Sequence, residues 1–83
     1  MDIAGVRAQL LCMANSLPVA ALAGHVELGK ATADELALAF DGTDHQSVHR
    51  ALSDVQTAVE LIDQVRVRLA TAADRLTDTA ARL

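Results

Sequence analysis

Residues 44–83 read DHQSVHRALSDVQTAVELIDQVRVRLATAADRLTDTAARL. Within them Val48, Leu52, Val55, Val59, Ile62, Arg66, Leu69, Ala73, Leu76, Ala80 and Leu83 recur at alternating spacings of four and three. A repeat averaging 3.5 residues, sustained over five heptads, fits one long helix packed along a left-handed seam. At about 1.5 Å per residue this helix is predicted to reach roughly 60 Å. A second apolar line beside the first, at Ala51, Ala58, Val65 and Ala72 with Leu61 near it, widens the face beyond what one neighbouring helix covers.

Working outward, Thr43-Asp44-His45-Gln46 has the form of a capping box, with Thr43 and Gln46 expected to satisfy the free amides of the helix start. Just upstream, Phe40-Asp41-Gly42 carries a glycine able to adopt the left-handed backbone that ends a helix. So short a connection between long helices makes them antiparallel neighbours. The first arm repeats the pattern in Leu22, Val26, Gly29, Ala33, Leu36 and Phe40, while Glu27, Lys30 and Asp34 share the opposite side. Leu28 and Leu38 fall outside the stripe and are expected to stay partly exposed in a single chain.

An N-terminal stripe of Ile3, Val6, Leu10, Met13 and Leu17 does not continue in phase past Pro18. Proline lacks the amide a helix interior needs, so Pro18 either kinks one long helix or starts a new one. If residues 3–40 form one bent helix they reach roughly 57 Å, equal to the second arm. The predicted fold is therefore all-α, a single domain over residues 1–83. It is an antiparallel hairpin of two long helices with the first kinked or broken near Pro18. A three-helix bundle with a folded-back N-terminal helix is the alternative.

Composition narrows the function. Hydrophobic residues make up 52% of the 83, much of it alanine, and Phe40 is the one aromatic. Alanine favours helix but adds little core volume. So small a chain has a thin stability margin that a partner would strengthen. The net charge is -4 and the seven basic residues are scattered, which disfavours nucleic acid. The uncharged stretch that ends at Glu27 is interrupted by Asn15, Ser16, Pro18 and His25, so no membrane span is expected. No cleavable signal pattern is read at the start, which points to the cytoplasm. Cys12 stands alone and reads as apolar filler.

Chemistry-bearing residues do not assemble into a recognisable catalytic set. His45 and His49 stand four apart, the helical spacing for two metal ligands, but no third ligand at familiar spacing joins them. His25 lacks the context of a phosphoaccepting histidine, and Ser16, Ser47 and Ser53 lack a nucleophile elbow. No cofactor, metal site or enzymatic activity is expected. Arg66, the one polar residue in the seam, either fixes register or partner choice or lays its stem over the seam with its head in water.

The residues Phe40-Asp41-Gly42, midway between two long helices, resemble the aromatic-x-Gly turn of the small W-x-G hairpin proteins of type VII secretion, with Phe in place of Trp. The chain has no Tyr, the residue many of those proteins carry in a tail signal. The resemblance implies a homodimer, or a pair with a related helical chain, forming a four-helix bundle. It also implies export without a cleaved signal peptide, as partner or escort of a larger secreted protein. Phe40 would plug the hairpin end and Gly42 would permit the reversal.

The residues read as forming the helix and chain interfaces are Leu22, Val26, Leu28, Leu36, Leu38, Val48, Leu52, Val55, Val59, Ile62, Val65, Arg66, Leu69 and Leu76. The expected role is a non-enzymatic protein–protein interaction module. A cytoplasmic helical adaptor or regulator without a secretion role is the alternative. A small histidine phosphoacceptor or metal-binding bundle is a further one.

Overall fold

A computed structural model describes residues 2–83. The chain forms α1 (Ile3–Ser16), α2 (Val19–Ala39) and α3 (Gln46–Arg82), with no strand among the described residues. Pro18 causes the break between the first two. It has no N–H to donate, and its ring forces the preceding Leu17 out of the helical region to an extended φ of -69 and ψ of 131. Helical bonding resumes at once, with the Leu22 N–H donating to the Pro18 carbonyl at 3.1 Å.

Both short helices pack along α3 and make no packing contact with each other. The arrangement is a hairpin whose first arm is bent, and not a three-helix bundle with α1 folded back. The arms match in length, 37 residues from Ile3 to Ala39 and 37 in α3. The molecule is a rod of 64 × 15 × 13 Å. Its open end is tied by the Arg7 Nε, which donates to the Ala80 carbonyl at 3.1 Å.

The seam follows the predicted stripes over most of its length. Val26 and Ala33 of α2 are buried, as are Val59 and Ala80 of α3. Leu22, Leu36, Val48, Leu52, Val55, Leu69 and Leu76 are half-buried along the same line. Ile62 and Val65 differ in remaining exposed. Gly29 marks a close approach of α2 to α3, since a Cβ there would stand 2.6 Å from Val59 Cγ2. In α1 the buried position is Ala14, whereas Met13 of the expected stripe is exposed. Counting Val6, Leu10, Ala14 and Leu17 as the inward set, the spacing is four, four and three, set by where Pro18 lets α1 lie on α3.

Among the described residues three ion pairs lie within single helices: Glu27–Lys30 at 3.8 Å, Asp63–Arg66 at 2.8 Å and Asp78–Arg82 at 3.0 Å. Arg50 and Asp54, although at contact spacing, are not paired among the described residues.

Candidate functional site

Two regions hold the residues singled out by the sequence: the closed end of the hairpin and the outward faces of its arms. At the closed end α2 stops at Ala39 with Phe40 as its cap residue. The Phe40 N–H donates to the Leu36 carbonyl at 3.1 Å, and the Thr43 N–H donates back to the Phe40 carbonyl at 3.1 Å. Gly42 takes a φ of 81, the left-handed conformation that costs a side-chain-bearing residue about 1–2 kcal/mol. The reversal role assigned to Gly42 thus has its backbone counterpart. Phe40 only half-plugs the end: it lines an apolar cleft with Leu36, Val48 and Leu52 yet keeps 46% of its surface exposed.

The capping box of Thr43 and Gln46 does not form. The helix starts at Gln46 with His45 as its cap, and His45 makes no side-chain cap bond. Thr43 is already engaged by the loop. Its hydroxyl accepts from the His45 N–H at 3.3 Å, and its carbonyl accepts from His49 Nε2 at 2.8 Å. That second bond places a proton on Nε2 of His49. The His45 Nδ1 meets the Ser47 hydroxyl at 2.6 Å. The two histidines therefore fasten the loop to the first turn of α3, each through a ring nitrogen. No group of three or more potential metal ligands clusters among the described residues. His25 is exposed on α2 with no hydrogen bond to another side chain among the described residues.

Arg66 sits half-buried on the seam and turns its guanidinium to its own helix, where Nε donates to Asp63 Oδ1. The stem covers the seam and the charge is answered locally.

The two arms differ in their outward faces. On α3 that face is mostly polar, with Arg50, Thr57, Gln64, Arg68 and Arg75 exposed around Leu61. On the first arm it is largely apolar. Leu28 is 66% exposed and Leu38 79%, and Leu11, Met13 and Ile3 are exposed as well. By length and composition alone this arm, Ile3–Ala39, is long and apolar enough to cross a membrane, a test also passed by core helices. α3 adds Leu61, Val65 and Val67 to the exposed apolar surface.

Comparison with family models, with curated proteins and with solved structures found no match to this chain.

Proposed function

We propose that the protein is a non-enzymatic interaction module that completes its core by packing against another helical hairpin, a second copy or a related chain, in a four-helix bundle. The observation that carries this reading is the surface left uncovered. The chain exposes 6166 Å². A folded monomer of 8.7 kDa is expected to expose about 4,700 Å². The excess, about 1,400 Å², exceeds the roughly 800 Å² that each partner contributes to an ordinary stable interface. The most exposed leucines are on the first arm, Leu28 and Leu38, and α3 adds Leu61, Val65 and Val67.

The secretion-related role rests on the resemblance at Phe40-Asp41-Gly42, and Gly42 with its φ of 81 suits the turn that resemblance requires. Export as the partner of a larger secreted protein is the process it adds. For the alternative of a histidine phosphoacceptor or metal-binding bundle, His45 and His49 each have a ring nitrogen engaged in fastening the loop to α3, by Ser47 and by the Thr43 carbonyl, and His25 stands exposed on α2.

Mass action provides the test. If folding is coupled to pairing, the midpoint of chemical denaturation rises with protein concentration. A midpoint that stays fixed across concentrations, with no second chain recovered on affinity capture from the native cell, would overturn the reading.

A further inference from the structure

On α2, Ala21, Gly24, Leu28, Ala31, Glu35 and Leu38 are all exposed and recur at spacings of three and four. They form a second heptad line turned away from Leu22, Val26, Gly29, Ala33 and Leu36, which face α3, and it lies beside the charged side of Glu27, Lys30 and Asp34. A helix carrying two heptad lines is shaped to have a neighbour on each. One neighbour is α3. The other place is empty in the single hairpin, and a Cβ built at Gly24 meets nothing within 4 Å.

We infer that this line is the seam for a second copy of the same chain, with the two α2 helices antiparallel about a twofold axis between Gly29 and Lys30. The inference rests on the dimeric reading above and names its seam and its register. An antiparallel pair stacks each residue on one whose number makes the same sum with its own. With the axis between Gly29 and Lys30, Leu28 lies over Ala31 of the second copy, Leu38 over Ala21 and Glu35 over Gly24. Every layer then sets a large side chain against a small one, which is how facing helices fill space without voids or clashes.

The one charge in the line also finds a place. Glu35 falls at the level of Gly24 and the adjacent His25 of the second copy, so its stem can cross the glycine while its carboxylate accepts from the imidazole or from water. α3 also leaves Ala51, Ala58, Leu61 and Val65 exposed, but Asp54 and Arg68 interrupt that line and Arg50, Thr57, Gln64 and Arg75 flank it, whereas the α2 line holds a single charge, Glu35.

Sedimentation equilibrium on the full chain and two variants tests the seam. Wild type is expected to be a dimer. Gly24→Leu puts a large side chain over Glu35 and should weaken association about tenfold or more. Its hairpin should persist, as read by helical circular dichroism, because Gly24 faces open space in the single chain. Adding Glu35→Ala to Gly24→Leu reverses large and small at that layer and should restore the dimer, a rescue that no other register supplies.

A dimeric wild type whose Gly24→Leu variant stays equally dimeric, or whose double variant is not rescued, overturns this seam and leaves the interaction reading standing. A monomeric wild type overturns the second copy as occupant. In that case capture of a different helical chain would preserve the interaction reading, whereas binding of the monomer to phosphatidylcholine vesicles would assign the face to lipid and overturn both.

Discussion

Glycine does three different jobs within twenty residues of this chain. Gly42 holds the left-handed backbone at the reversal. Gly42→Ala should therefore lower stability by about 1–2 kcal/mol, visible as a lower denaturation midpoint with helix content kept. Gly29 lets α2 and α3 touch, and the nearest atom to its missing side chain belongs to Val59, a stiff β-branched residue with little room to yield. Gly29→Leu is expected to cost about 1–3 kcal/mol by forcing the arms apart, whereas an unchanged midpoint would mean the arms are not in register at that point. Gly24 touches nothing in the single chain, so the same substitution there leaves the hairpin intact and probes only what lies outside it.

At the scale of the helix, α3 was legible from sequence because its polar and apolar residues segregate. One face can be buried and the opposite one cannot, so the phase of Val48, Leu52, Val55 and Val59 admits a single orientation. The first arm has only one narrow charged side, Glu27, Lys30 and Asp34, and composition chooses its inward face less sharply. Its phase was readable in α2, through Val26 and Ala33, but slipped in α1, where Ala14 and not Met13 is covered.

The break at Pro18 could be read because proline acts on its own backbone and on Leu17, without help from tertiary contacts. The start of α3 could not. Thr43 has the right chemistry for a cap, but the loop after Gly42 uses its hydroxyl and its carbonyl, and the helix begins at Gln46. The exposure of Leu28 and Leu38 followed directly from their lying off the stripe. Because the core between the arms is thin, single buried side chains count. Val59→Ala should destabilise by about 1.5–3 kcal/mol, read by thermal or chemical denaturation, where a surface valine such as Val67 should cost far less.

For the whole molecule the decisive fact is shape. A rod 64 Å long and about two helices thick has surface on every side, and among the described residues its buried side chains are Ala14, Val26, Ala33, Val59 and Ala80, three of them alanine. Two helices can bury one stripe each, and the first arm carries more apolar surface than one stripe. A second hairpin laid against that arm would turn the exposed line into core and leave the mostly polar outer face of α3 in water.

The mass of the wild-type chain in dilute solution, measured by sedimentation equilibrium at micromolar concentration, tests this most directly. Twice the 8.7 kDa of one chain is the expected result. A single species at 8.7 kDa, fully helical and cooperatively folded at the same concentration, would contradict it, for it would show that the hairpin keeps its exposed leucines in water without needing another copy.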